Sequence, residues 1–296
     1  MTNIVIIGCG EVGLCYAKAF VDAGFTIRAM IDEHPSSTLS EFAQAAGSSV
    51  LQAPDAKLAE ADLVVSCVFG GTALEVFKKS APWMRKGAFY ADFTTADPDD
   101  MRKAHQHARM HGIQFVDVAI MGAISASRSS TPLICAGEDC SLVLSVMQQC
   151  ASPIRQVGTK PGEAATLKLL RSIFTKGLEA LSIECLMAAE EKGLRPQLYD
   201  VLSDIDQMSL KDFMELSVRT HVIHAKRRLK EVQEAKKLMK SLALNPLVLD
   251  GVEYFFGRTS DQFHTIPTSE KTLESSLSWL GSISKSTQSN PTGRSA

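Results

Sequence analysis

Short apolar runs and longer amphipathic stretches alternate along the first half of the chain. Asn3–Gly8, Thr26–Ile31, Asp62–Val68, Gly87–Asp92 and Gln114–Val118 are brief and rich in β-branched and aromatic residues, which predicts strands. Between them, Glu11–Ala23, Thr38–Ala46, Thr72–Ser80 and Asp97–His111 carry apolar residues at helical spacing. Such alternation requires crossover connections, and therefore a doubly wound α/β fold whose parallel sheet is covered on both faces. Thr131–Ala136 extends the pattern with a strand, Cys140–Cys150 with a helix and Ile154–Val157 with a short strand.

At Pro161 the period changes. From there to Leu280, apart from Pro196, Pro246 and Pro267, almost everything follows a 3.6-residue repeat, so an all-α domain is expected over residues 161–282, after an α/β domain over 1–160. The all-α half opens on Pro161–Gly193, a stretch without internal proline whose Ala164, Leu167, Leu170, Phe174, Leu178, Leu181, Cys185 and Ala188 line one face. At about 1.5 Å per residue it predicts a spine helix about 45 Å long. Residues 283–296 are polar and rich in Ser and Thr, and are expected to be a disordered tail.

Composition narrows the function classes. The 296 residues are 45 % hydrophobic and 22 % charged, as in ordinary globular proteins, and the net charge of -2 offers no basic surplus for nucleic acid. Seven scattered cysteines lack metal-ligand spacing and read as reduced thiols of a cytoplasmic protein. No basic leader opens the sequence and no apolar run reaches the ~18 residues that span a bilayer, so membrane insertion is not expected.

The first strand runs straight into Gly8-Cys9-Gly10-Glu11-Val12-Gly13, a GxGxxG that opens a helix. In that context the three glycines serve a tight turn, the approach of backbone to a pyrophosphate, and close packing of helix on strand. The helix amino terminus then offers N–H groups to the anion. Nineteen residues beyond Gly13, at the end of the second strand, stands Asp32, whose carboxylate suits a ribose diol and repels a 2′-phosphate. A Rossmann-type domain with NAD is the expectation; His34, Ser36 and Ser37 keep NADP open.

Loop, domain boundary and spine helix together resemble the β-hydroxyacid dehydrogenases, the family of 3-hydroxyisobutyrate and 6-phosphogluconate dehydrogenases, over nearly the whole chain. Asp92-Phe93-Thr94-Thr95 is similar to the family's D-x-S-T run beside the nicotinamide, and Asp117–Ala123 (DVAIMGA) to its substrate-binding D-A-P-V-S-G-G. Gly162 followed by Lys168 falls where the family keeps its catalytic lysine, and His221–Arg228 resembles the helical domain of a 6-phosphogluconate dehydrogenase-like subgroup. Two positions depart from the pattern. Ser172 replaces an asparagine four residues after the lysine, and Met121 replaces a serine that binds carboxylate.

The resemblance implies that Lys168 is the general acid/base for hydride transfer between a nicotinamide and a small β-hydroxy or sugar acid. That role requires a depressed pKa, toward which Arg171 one turn away would push. Thr94, Thr95 and Val68, at carboxyl ends of strands, are expected on the cofactor side. Met121, Gly122, Ala123, Arg171 and Ser172 are expected around the substrate. His221 and His224, three apart on a helix, are candidates for an anion contact, with packing as the competing reading; no third ligand accompanies them, so a metal is not expected. A homodimer or larger oligomer is expected from the apolar stripes of the helical half. Imine reduction on the same scaffold, or a silent dinucleotide sensor, are the alternatives.

Overall fold

The computed structural model describes residues 2–262, 265 and 272–286. The chain separates into two compact units, Met1–Ile173 and Phe174–Ala296.

In the first unit eight strands form one sheet: β1 (Asn3–Ile7), β2 (Thr26–Ile31), β3 (Ser49–Leu51), β4 (Leu63–Ser66), β5 (Phe89–Asp92), β6 (Gln114–Ile120), β7 (Leu133–Ala136) and β8 (Ile154–Gly158). Their order is β3-β2-β1-β4-β5-β6-β7-β8, so the strand order reverses between β1 and β4, the crevice where open α/β sheets bind ligands. The helices are α1 (Glu11–Asp22), α2 (Ser37–Ala45), α3 (Ala73–Ser80), α4 (Pro98–His111), the single turn α5 (Ile124–Ser127) and α6 (Ser141–Gln149). Each falls where the apolar periodicity places it, α5 excepted.

The strands are apolar on both sides because both sides are covered. Ile4 and Ile6 face Tyr16 and Phe20 of α1, while Val5 and Ile7 belong to the opposite core with Phe77, Tyr90 and Phe115. In that second core the Phe77 ring meets Tyr90 and Phe115 edge-on at 4.7 and 5.1 Å, geometry that adds to the apolar burial. Helix starts are fixed by side chains the sequence supplies: the Ser36 hydroxyl accepts from Leu39 N at 3.1 Å, and the Asp97 carboxylate, one residue before Pro98, accepts from Asp99 N at 2.7 Å.

One feature of the expected sheet needs correction. β7 runs antiparallel to β6, with Asp117 opposite Ala136 and Ile120 opposite Leu133. The twelve-residue link from 121 to 132 holds only α5 and a further short turn, too little for a covering crossover, so the chain turns back. The short β3, parallel to β2, carries no sequence signal, because SVL offers three residues and no alternation.

The helix α7 (Glu163–Glu191) is 29 residues long. Its first turn packs with the sheet unit: Ala165 lies in the core of Tyr90 and Phe115, and Ala164 in a small cluster with Ala119, Ile134 and Ala136. The second unit holds the rest of α7 with α8 (Arg195–Asp206), α9 (Leu210–Ser241), α10 (Leu247–Asp261) and α11 (Leu273–Ser286). Val222 of α9 is buried with Trp279 and Ile283 of α11. Residues 283–286, expected in a disordered tail, are thus the last turn of α11, whose Ile283 is the apolar anchor; residues 287–296 of that tail lie outside the described residues.

Candidate active site

The glycine loop is built as its spacing requires. Gly8 has φ +84°, and a Cβ on it would stand 2.8 Å from the backbone of Cys67 and Val68 at the end of β4. On Gly13 a Cβ would meet the Gly8 carbonyl oxygen at 2.0 Å, so helix and strand touch through it. At Gly10 a Cβ would meet nothing within 4 Å: that side faces open space at the amino terminus of α1, where no side chain caps the helix. Uncapped amides beside an open glycine are what a pyrophosphate fits. Glu11 is exposed at this end of α1 and Val12 packs against the core below it.

Asp32 is held in place by two backbone amides, Cys9 N to Oδ2 at 2.8 Å and His34 N to Oδ1 at 3.0 Å. The loop and the carboxylate at the end of β2 are therefore locked together, with lone pairs left over for a ribose diol. Cys9 itself is buried; burial, then Asp32, pushes its thiol up to about 12, so it stays neutral and contributes packing rather than nucleophilicity. Val68, half-buried, packs against the core that contains Val64, Phe77 and Tyr90.

At the end of β5 the two threonines differ. Thr94 is buried and turned inward: its N and Oγ1 both donate to Asp92 Oδ1, at 2.9 and 2.5 Å. Thr95 is exposed, and its Oγ1 accepts from Lys168 Nζ at 2.5 Å. Lys168 is half-buried, and burial, then the nearby Arg171, hold its pKa below the usual lysine value. The direct hydrogen bond between Thr95 and Lys168 has no sequence signal, since 73 residues separate them.

Two buried carboxylates, Asp92 and Asp117, support this pair, and nothing in their sequence positions distinguishes that role. Asp92, fully buried, has its pKa pushed up to about 6 by burial, and next in weight the Thr94 bonds oppose the shift. Asp117, 1 % exposed, accepts at Oδ2 from Gly162 N at 2.8 Å and Ala165 N at 3.0 Å, so a strand residue caps α7. Burial raises its pKa and those amide bonds oppose the rise.

Around the expected substrate loop, Met121 lays its side chain against Ala119, Ile134, Ala136 and Ala164, and so serves as wall packing where the resemblance placed a polar ligand. Gly122 approaches Thr131, whose methyl a Cβ would meet at 3.0 Å, and the Ala123 carbonyl accepts from Thr131 Oγ1 at 3.5 Å. The Ser172 hydroxyl donates back to the Lys168 carbonyl at 3.0 Å. Arg171 is exposed on α7. His221 and His224 belong to the second unit. There His221 is buried against Phe255 and Phe256 with its Nε2 2.9 Å from Thr259 Oγ1, while His224 is exposed. Burial first, and then Arg228 and Arg258, lower the His221 pKa.

A reversed-order sheet with an uncapped glycine loop and a fixed carboxylate after β2 defines an NAD-binding protein of Rossmann type. Residues 3–158 match the NAD binding domain of 6-phosphogluconate dehydrogenase, and the chain belongs to that family; residues 189–258 match a domain of unknown function, DUF1932. An uncharacterised 28.5 kDa protein of Methanothermus fervidus is 28 % identical over 86 % of this chain and 97 % of its own length. A probable 3-hydroxyisobutyrate dehydrogenase of Mycobacterium bovis is 25 % identical over 69 % of each chain. Among solved structures, an imine reductase variant from Myxococcus stipitatus in complex with NAD+ superposes with a TM-score of 0.77 at 17 % identity, covering 95 % of this chain and 99 % of that one, a likeness of fold.

Proposed function

We propose that the protein is an NAD(P)-dependent dehydrogenase of a small hydroxy acid, with Lys168 as general acid/base. The observation that carries this reading is the Lys168–Thr95 hydrogen bond at the carboxyl end of β5, made by a lysine whose pKa is depressed by burial and Arg171. Gly8–Gly13 would hold the pyrophosphate, Asp32 the ribose, and Val68 and Thr95 the nicotinamide end, with Thr94, turned inward onto Asp92, fixing the turn behind them. When bound, the nicotinamide supplies a hydride acceptor. Lys168, uncharged, takes the hydroxyl proton as the hydride departs, and returns it in the reverse direction. Arg171 and the Gly122 and Ala123 backbone would bind the substrate carboxylate, with Met121 and Ser172 shaping the space; within the helical unit exposed His224 is the candidate for an anion contact, while His221 packs against Phe255, Phe256 and Thr259. The relatives' names, 3-hydroxyisobutyrate dehydrogenase and L-threonate dehydrogenase, describe substrates with a hydroxyl near a carboxylate, which suits this arrangement.

Imine reduction on the same scaffold passes through a cationic iminium, which the Arg171 guanidinium would repel. The seven free thiols fit a reducing cytoplasm. The apolar side chains exposed on the second unit, Ile183 at 55 % and Val201 at 70 % among them, fit a homodimer. The test is a screen of hydroxy acids, sugar acids and their phosphates with NAD+ and NADP+, on wild type and Lys168→Ala. Wild type should reduce cofactor with at least one compound, and the variant should lose roughly 10²–10⁴-fold in kcat with NADH binding retained. Near-normal turnover by Lys168→Ala would sink the reading.

A further inference from the structure

We propose that Asp117 is a positioning residue for Lys168: from strand β6 it fixes the first turn of α7, and thereby the lysine amine against Thr95. The proposal rests on the reading of Lys168 as the acid/base group. Asp117 Oδ2 takes two of the amides that open α7, Gly162 N and Ala165 N, and Lys168 follows Ala165 by three residues, one turn along nearly the same face. Backbone fit reinforces the grip. Gly162 has φ +98°, and a Cβ there would stand 2.8 Å from the Pro98 carbonyl oxygen at the start of α4, so the chain enters α7 through a passage only glycine permits.

The other partner of the lysine is anchored on the neighbouring strand. Asp92 of β5, opposite Asp117 of β6 in the register, holds Thr94 by two bonds, and Thr95 follows in the chain. Behind Thr95, Gly70 packs so closely that a Cβ would meet the Thr95 carbonyl oxygen at 2.6 Å. Donor and acceptor of the Lys168–Thr95 bond are therefore each tied to one of two adjacent buried carboxylates. A cap needed only for helix stability is ordinarily a surface residue next to the helix in sequence. This one reaches from 45 residues away and sits in the sheet, where burial disfavours its charge.

The test needs no substrate. The full-length protein is labelled with acetic anhydride across a pH series, and acylation of each lysine is read by peptide mass spectrometry, with exposed Lys226 of α9 as internal reference. Wild type, Asp117→Asn and Asp117→Ala are compared, and NADH affinity and Tm verify folding. Asn keeps an acceptor oxygen without the charge, so its Lys168 profile should stay close to that of wild type. Ala frees the first turn, and the Lys168 midpoint should rise toward that of Lys226, so that labelling of Lys168 below the midpoint falls severalfold. If Ala does not fold, Asp117→Thr, of similar volume but unable to span both amides, makes the same comparison. A folded Ala or Thr variant with an unmoved midpoint overturns the proposal, as does an Asn variant shifted as far as Ala. A wild-type Lys168 that titrates together with Lys226 overturns the acid/base reading itself, a result separate from either.

Discussion

Asp92 and Asp117 stand opposite each other on adjacent parallel strands, both buried, and Asp92 leaves its Oδ2 without a partner among the described residues. An ionised carboxylate in that position is unfavourable, and burial with a lesser push from Asp117 raises the Asp92 pKa from 3.8 to about 6. The native state thus binds this proton more tightly than the unfolded chain. The stabilisation is complete below 3.8 and is lost as pH rises through about 6, on the order of 3 kcal/mol in all. Asp92→Asn keeps an oxygen for Thr94 and removes the titration. Its Tm at pH 7 should equal or exceed that of wild type, and the fall in Tm between pH 4 and 6 should flatten. An unchanged pH slope in the variant would contradict the assignment.

The glycine loop separates folding from binding at two positions. Gly13→Ala forces a Cβ to within 2.0 Å of the Gly8 carbonyl and should destabilise the fold by roughly 3 kcal/mol or more. Gly10→Ala meets no protein atom within 4 Å, so stability should stay within about 0.5 kcal/mol of wild type. Its methyl occupies the side open to a pyrophosphate, and NADH should bind at least tenfold more weakly by titration calorimetry. Equal NADH affinity for Gly10→Ala and wild type would place the cofactor elsewhere.

The strand and helix order, the cofactor loop and Asp32 were legible because local spacing encodes them: apolar runs of four to seven residues, GxGxxG after a strand, a carboxylate at the next strand end. The antiparallel β7 was not, since an apolar run of four, Leu133–Ala136, reads alike in either direction. The Lys168–Thr95 bond and the Asp117 cap are long-range pairings across 73 and 48 residues, which no periodicity announces. Thr94 and Thr95 look equivalent in sequence, and only the turn after β5 sends one inward and the other out. That the Ser172 hydroxyl donates to the Lys168 carbonyl one turn back follows from helix geometry and is invisible in the residue type alone.

Within the second unit a carboxylate again caps a helix from afar. Glu184 of α7, 9 % exposed, accepts from Val248 N at 2.5 Å and Leu249 N at 3.2 Å at the start of α10, which Pro246 precedes. Glu184→Ala leaves both amides uncapped and should cost about 1–2 kcal/mol in urea unfolding, while Glu184→Gln, which keeps one acceptor oxygen, should cost less. Because the cap lies in the helical unit, NADH affinity should be unaffected in both. A Gln variant as damaged as Ala would mean that charge at the helix terminus, rather than hydrogen bonding, is the larger part.

The two threonines after β5 should fail in opposite ways. Thr94→Val removes a buried hydroxyl from a carboxylate acceptor and leaves Asp92 with the backbone bond alone, which should lower stability by about 1.5–3 kcal/mol. Thr95→Val alters an exposed side chain, so Tm should barely move, but the Lys168 amine loses the acceptor that holds it. On a hydroxy acid that wild type oxidises, the Thr95 variant should therefore lose kcat with little change in NADH affinity. The Thr94 variant, once folded and saturated with cofactor, should retain most of its kcat, since Thr94 reaches the lysine only through the chain. The reverse pattern, stability lost at Thr95 and turnover at Thr94, would mean that the inward hydroxyl contacts the reacting groups and that the lysine is aimed by something other than Thr95.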